Sequence, residues 1–485
     1  MSVISKHKDY DKMHERWVMC RDAAEGEHAV HLKREQYLPR LKEEDDDSYK
    51  LRLMMTPFFN ATWRTIAGLR GMLFRKPPKT ELTTRITDAE LDIDLAGTTL
   101  LSLAQEVVEE ALIVGRVGLL VDFPPASPGT TLADQKAAGL RTLISVYEAE
   151  SIYNWKLDRI NGATVLVQVR LTEDFTLESE DEFTSKCEKR YRILDLVAGK
   201  YRQRVYRVDE KGFEVQVGGD IIPLKDGAPL PFIPFVVMGV DDVGMDVDAP
   251  PLIDLVTTNF HHYLQATSYE RGCFFSGLPT MFISGMEDSD KEISIGGNVA
   301  NALGSPNAKA YYVEVSSKFE ALRTNLEDKK KEMAVLGARM LEGSRAGGQT
   351  EAAETVARRQ SGEESVLASI AQNISQGLEQ ALNWFTWWEG QDGKVTYQLN
   401  RDFLPTSMSA QDLGALVAAW QSGAISQQTL FDNLKAGEII DDSKTFEDEA
   451  TEIAEGMPQM GAMPTVDPAT GLPIDPATGL PQEQV

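Results

Sequence analysis

Apolar positions recur every three or four residues over several stretches of the chain and every second residue over a shorter central one. These two periods divide it into helical and sheet regions. Residues 6–38 read as helical and polar. In "FFNATWRTIAGLRGMLFRKPP" (58–78), Phe59, Trp63, Ile66, Leu69 and Leu73 share a helix face that stops at Pro77 and Pro78. "TLLSLAQEVVEEALIV" (99–114) is a second amphipathic helix, and Gly115 and Gly118 lead from it into a strand, "GLLVDFP", ended by Pro124. A loop is expected over 124–140.

From about 141 to 240 the texture changes to short β-rich runs, "LISVYEA", "ATVLVQVRL", "KRYRILDLV", "YRQRVYRV" and "GFEVQVG", which predict a mixed or antiparallel sheet. Pro250 and Pro251 then open a helix of about five turns that ends near Gly272. Residues 273–316 read as a compact insert of short strands and turns before the next helix, 317–341. That helix carries Phe319, Leu322, Leu326, Met333, Leu336 and Met340 on a narrow stripe suited to helix-to-helix packing. Over 350–388, Leu367, Ile370, Ile374, Leu378, Ala381, Phe385 and Trp388 predict one very long helix, kinked near Gly362. "KVTYQLN" is a final strand, and 409–455 form short helices. "VDPATGLP" followed directly by "IDPATGLP" cannot bury a core, so a flexible tail is expected there. The fold class is α+β.

At 485 residues the chain is long enough for a large core. Its 49 Lys and Arg against 75 Asp and Glu give a net charge of −26, which excludes a tightly wrapped nucleic acid and leaves room for loose confinement of DNA. The three cysteines, Cys20, Cys187 and Cys273, are too few and too scattered for a disulfide framework or clustered metal site, and a reducing cytoplasm fits them. The N-terminus has no apolar signal region. The most apolar stretches, 111–123 and 230–240, are interrupted by Arg116 or by prolines, so no membrane span is expected.

Candidate chemistry begins with "GSRAGGQT" (343–350), which fits the phosphate-loop pattern except that Gln349 stands where lysine is required. The preceding residues are helical, whereas a phosphate loop joins a strand to a helix, so the glycines read as a flexible loop. His261 with His262 and His28 with His31 lack a matching carboxylate or thiolate arrangement, and they read as helix-face residues without a metal role. Trp384, Phe385, Trp387 and Trp388 continue the apolar stripe of their helix, which favours packing over base stacking. Lys329, Lys330 and Lys331 are bunched midway along 317–341, where they offer phosphate contacts, a solvated face or salt bridges to an acidic neighbour.

Several stretches together resemble the portal proteins of tailed bacteriophages, in particular the subgroup carrying the domain of unknown function 4055. They are 58–78, "GRVGLLVDFP", "YEAESIYNW", "LPFIPFVVMG", "PPLIDLVTTNFHHYLQATSYERGCFFSGLPTMFISG" and "GAISQQTLFDNLKAGEIID", spread in order over about 60 to 450. The resemblance implies the phage portal fold: a wing (1–250), stem helices (251–272 and 317–341) flanking a small α/β clip (273–316), and a tunnel loop (342–352). A long kinked helix with wing return (353–408), a helical crown (409–456) and the tail (457–485) complete it.

It implies a virion protein assembled in the host bacterial cytoplasm, a ring of identical subunits, usually twelve, at one capsid vertex. Double-stranded DNA is packaged and ejected through such a ring, which meets terminase, a head-tail adaptor, major capsid protein and scaffolding protein. Neither enzymatic activity nor a cofactor is implied. The tunnel loop would place Gly343, Ser344, Arg345, Gly347, Gly348 and Gln349 at the channel, with Lys329, Lys330 and Lys331 as further lumen cations. An acidic wall would keep a duplex centred, because charge is felt only within about 8 Å at physiological salt. The competing readings are another phage head or connector protein, or a nucleotide-binding enzyme.

Overall fold

The computed structural model describes residues 2–124, 139–177, 185–277, 280–284, 309–313, 319–341, 365–391, 393–401, 403, 410–422, 424–437, 439–440 and 444–456. The chain divides into two compact units, Met1–Arg401 and Asp402–Val485. The first begins with helices α1 (Lys8–Glu25), α2 (Glu27–Leu32), α3 (Asp46–Met55) and α4 (Ala61–Leu73). Strand β1 (Lys79–Glu81), α5 (Thr84–Ala89), α6 (Leu100–Val114), β2 (Arg116–Asp122) and β3 (Leu143–Glu148) follow.

The polar helix expected over 6–38 is broken at Gly26. This residue has φ +99°, and its N–H donates to Asp22 O at 3.0 Å to close α1. A Cβ there would lie 2.5 Å from Asn60 Nδ2, and the Asn60 Oδ1 accepts from Trp63 N at 2.8 Å to cap α4. The break therefore seats the start of α4. Helix α3, missed by apolar periodicity, is set by its cap: Asp45 Oδ1 accepts from Asp47 N and Ser48 N at 3.0 and 2.9 Å.

Strand β2 is the centre of an antiparallel three-stranded sheet, flanked by β3 on one side and by the later strand Phe235–Gly239 on the other. Val117, Leu119, Leu120 and Val121 on it are buried. A second, five-stranded antiparallel meander runs β4 (Ile152–Ile160), β5 (Ala163–Leu177), β6 (Lys186–Val197), β7 (Lys200–Val208) and β8 (Glu214–Ile221). This agrees with the sheet expected over 141–240. The short hairpin of β9 (Leu224–Lys225) and β10 (Ala228–Pro229) precedes β11 (Phe235–Gly239). The N-terminal residues lie along one face of the meander, where Val3 N donates to Glu214 Oε1 at 2.6 Å and Asn154 Nδ2 to Ser5 O at 2.6 Å. Arg170 Nη1 reaches Ser2 O at 3.0 Å on this face, while the His7 ring stacks at 4.0 Å on Trp155, which pairs with Val169 and belongs to the other face.

After β11 come α7 (Ile253–Gly277), β12 (Thr280–Ser284), β13 (Lys309–Val313) and α8 (Glu320–Ala338), then α9 (Val366–Trp388) and β14 (Thr396–Gln398), which pairs with β1. Helix α9 is where its stripe predicted: Leu367, Ile370, Ile374, Leu378, Ala381 and Phe385 are all buried against the three-stranded sheet and α6. The kink expected near Gly362 lies outside the described residues. So do the tail 457–485 and most of the insert between β12 and β13. The second unit holds α10 (Ala410–Gln421), α11 (Gln427–Ala436) and α12 (Phe446–Gly456), with Phe431 edge-on to Phe446 at 5.6 Å. None of the helices described is long and apolar enough to cross a membrane.

Candidate functional site

Helices α7 and α8 run antiparallel, joined through the antiparallel pair β12–β13, in which Thr280 faces Val313 and Ser284 faces Lys309. Their direction follows from the contacts at each end. Leu255, in the first turn of α7, clusters with Ala61 and with Met333 near the end of α8. Gly272, five residues before the end of α7, meets Phe319, which caps the start of α8. A Cβ built on Gly272 would sit 2.6 Å from Phe319 Cε1, so the ring occupies the space that any side chain there would fill. Phe319 itself has φ +48° and stands before the helix, whereas the sequence placed it within the α8 stripe. Of that stripe, Leu326, Met333 and Met340 are buried.

The root of α7 is clamped in the body. Asn259 is fully buried, its Oδ1 accepts from Thr62 Oγ1 and Thr62 N at 3.1 and 3.3 Å, and its Nδ2 donates to Phe59 O at 2.9 Å. Phe260 stacks on Tyr37 at 4.3 Å, and Tyr263 is edge-on to Phe58 at 5.7 Å. Beyond Thr267, no residue of α7 whose burial is described is buried. The outer half of α7 packs against α8 and, through Thr267, Arg271 and Phe274, flanks a cavity shared with Ser48, Leu51, Arg52 and Met55 of α3, while α8 buries only Leu326, Met333 and Gly337.

Lys329, Lys330 and Lys331 sit on α8, and the helix neutralises two of them. Lys330 Nζ pairs with Glu327 at 3.0 Å and lies over the Phe59 ring at 5.2 Å, and Lys331 Nζ pairs with Asp328 at 3.2 Å. Among the described residues Lys329 makes no ion pair. Over its whole length α8 carries four basic and four acidic residues. His262 is buried between α7, Phe59 and this lysine run, and neither ring nitrogen finds a partner among the described residues. Burial first, and Lys330 second, push its pKa down to about 4, so the ring is neutral near pH 7. His261, its neighbour, is exposed.

The glycine loop with Gly343, Ser344, Arg345, Gly347, Gly348 and Gln349 lies outside the described residues. The aromatic cluster on α9 packs as its spacing predicted: Phe385 and Trp388 are buried, and Trp384 and Trp387 each lie 5.5 Å from Phe232. Lys225 sits 4.3 Å over the Trp387 ring, a cation brought from another element.

Three buried polar arrangements escaped the sequence. Arg21 bridges Glu110 and Glu150 at 2.7 and 2.6 Å, beside a 380 Å³ depression lined by Glu106 and Glu109 of α6 and Glu148 of β3. Arg116 is fully buried on β2 with its guanidinium 4.1 Å from the Trp155 ring; Nη2 donates to Met245 O at 3.3 Å, while Nε and Nη1 find no partner among the described residues. Asn259 was hidden because its role depends on Phe59 and Thr62, about 200 residues away. No group of three or more His, Cys, Asp or Glu is placed to hold a metal ion among the described residues.

No curated protein matches the chain. Among solved structures, the chain is similar to one described as the neck of a native GTA particle computed with C12 symmetry. The two share 14% identity at a TM-score of 0.37, over 79% of this chain and 92% of that one. A second, the neck of an empty GTA particle computed with C6 symmetry, shares 13% identity at a TM-score of 0.38, over 83% of this chain and 96% of that one. Residues 251–389, from just before α7 to just past the end of α9, match the family described as "Domain of unknown function (DUF4055)", the family their sequence resembles.

Proposed function

We propose that this chain is the portal protein of a tailed bacteriophage: a ring of identical subunits, twelve in number, at one vertex of the capsid, through which double-stranded DNA is packaged and ejected. The observation that carries the reading is the antiparallel pair α7–α8, joined through β12–β13 and rooted at Asn259, lying inside the segment that matches the DUF4055 family. A helix pair with one clamped end and an outer half without buried residues gains from neighbours that cover it, and a ring supplies them.

The electrostatics of α8 support a conduit. Affinity for a duplex grows with the number of phosphates neutralised, and six to ten such contacts change it by about 10³ to 10⁵ between low and moderate salt. A helix whose lysines are matched by Glu327 and Asp328 lines a passage without gripping what moves through it. In this reading Lys329 gives transient contacts, and the loop 342–352, with Arg345, reaches toward the DNA. Terminase, a head-tail adaptor and the capsid and scaffolding proteins dock around the ring, in the virion or on its path to assembly. The chain's work is mechanical, and it performs no chemical step.

Negative-stain microscopy of the purified chain tests this. Rings with a central hole are expected; monodisperse monomers at high concentration overturn the reading.

A further inference from the structure

Arg116 and Gly239 stand directly opposite each other in the β2–β11 ladder, so the Arg116 side chain and the position of a Cβ on Gly239 share one face of the sheet. The Asp248 carboxylate fills that position: a Cβ on Gly239 would meet its Oδ2 at 2.4 Å. A buried cation and a partly buried carboxylate are thus neighbours across one rung of the ladder, and they do not pair. Asp248 Oδ2 instead accepts from Asp241 N at 3.0 Å. The guanidinium lies over Trp155 and uses only Nη2, on Met245 O, while Nε and Nη1 stay idle among the described residues. Burial lowers the Arg116 pKa to about 9, and the charges of Asp248, Asp246 and Asp9, in that order, oppose the fall, so the group is a cation near pH 7.

A buried guanidinium with idle donors is costly beside a carboxylate able to accept from them. Other contacts hold the two apart. The Trp155 ring under Arg116 also stacks on His7, and the His7 N–H donates to Tyr153 O at 2.9 Å. The loop 240–250 is closed by Gly239 N, which donates to Asp242 O at 2.8 Å, and by the bond from Asp241 to Asp248.

The place of this arrangement gives it a consequence. The loop 240–250 joins β11 to α7, which starts at Ile253. Arg116 touches the middle of the loop at Met245, and Gly115 touches its end, where a Cβ would lie 3.1 Å from Ala249 O and 3.3 Å from Pro251 Cδ. A shift of the loop against β2 is therefore passed to the first turn of α7.

We propose that Arg116 and Asp248 are the two halves of a latch at the entry to α7, open in the state described and closed when the loop carries the Asp248 carboxylate from the Gly239 gap onto the idle guanidinium donors. Closing exchanges the Asp241–Asp248 hydrogen bond for a charge-assisted one and draws Pro250 and Pro251 along. In the other direction, a load on α7 moves the loop and shifts the balance between the two positions. Asp246 is the weaker partner, being exposed, whereas Asp248 already sits on the Arg116 face of the sheet. The latch stands whether or not the chain forms a ring.

Hydrogen exchange of the full chain, read by mass spectrometry on peptides spanning 240–258, tests it. Gly239→Ala evicts Asp248 from its gap. In that background Arg116→Met should raise exchange over 240–258 by about tenfold, because the closed position is lost. Arg116→Met alone should leave exchange there unchanged, and in Gly239→Ala/Asp248→Asn it should again have no effect. An equal effect of Arg116→Met with and without Gly239→Ala, as expected if a bound water serves the idle donors and nothing moves, overturns the latch. So does an effect that persists in the Asp248→Asn background. Should Gly239→Ala lose the circular dichroism of the unmodified chain, Asp248→Glu decides, since its longer carboxylate reaches Arg116 with the loop in place. A rise in melting temperature that Arg116→Met cancels is expected; no rise, or a rise that survives Arg116→Met, overturns the proposal.

Discussion

Gly272 and Phe319 fit together across the helix pair as a notch and a ring, with 2.6 Å between Phe319 Cε1 and the position a Cβ on Gly272 would take. Phe319 is fixed in this position by its own backbone at φ +48° and by its place as the cap of α8. The contact ties the outer end of α7 to the outer end of α8, where little other burial exists.

Gly272→Ala is therefore expected to destabilise the pair by about 1–3 kcal/mol through overpacking, partly offset by the better helix propensity of alanine. Phe319→Ala in the same chain should recover part of that loss. Denaturant unfolding of the two single variants and the double variant gives the coupling; an additive result would show that the two residues do not touch.

Asn259→Leu leaves the Phe59 carbonyl and the Thr62 hydroxyl and N–H without partners inside the body. A loss of about 2–4 kcal/mol is expected, each buried orphan group costing about 1–3 kcal/mol. Hydrogen exchange should show the root of α7 losing protection first.

His262 gives the fold a pH dependence with a definite sign. Its folded pKa, about 4, lies below the unfolded value of 6.5, so between these two values the unfolded chain binds more protons. Stability then rises with pH through that window and is lost as pH falls through it. Melting curves from pH 7 to pH 4 should show a decline that His262→Phe reduces, by about 1–3 kcal/mol at the acid end.

Glu327→Gln/Asp328→Gln should unmask two cations on α8. Binding of a DNA duplex, followed by fluorescence anisotropy at several salt concentrations, should acquire a steeper salt dependence by about 2 in the log–log slope. An unchanged slope would mean that Lys330 and Lys331 do not reach the duplex.

Arg116→Met is expected to leave stability unchanged or raise it by about 1–4 kcal/mol, since a buried cation with two unpartnered donors is replaced by a side chain of similar length. Thermal unfolding is the measure. A loss above 2 kcal/mol would reveal a bound partner for Nε and Nη1.

The apolar period made α4, α6 and α9 readable because each buries one continuous stripe: Ile66, Leu69 and Leu73 on α4, or Ile370, Ile374 and Leu378 on α9. The two helices of 251–341 were readable from their apolar spacing, while most of the insert expected between them lies outside the described residues. Helix α3 was not, since its first turn opens on two acidic residues and a serine, and its signal is the Asp45 cap. The Gly26 break was hidden inside a polar run where one more polar residue changes no period, and Phe319 looked like a stripe residue because it stands one turn before Leu322. The clamp at Asn259 and the orphaned Arg116 are relations between distant residues, and no local pattern records those. The glycine loop was legible as a motif departure alone.

Because Asn259 and the stacked Tyr37–Phe260 pair hold one end of α7 while its outer half leans on α8, the hairpin is mounted like a lever with its fulcrum in the body. A push at the β12–β13 tip would reach the rest of the molecule as torque at Thr62 and Phe59, both at the start of α4. Stiffness at that fulcrum, more than any contact along the arm, would set how far the tip can swing.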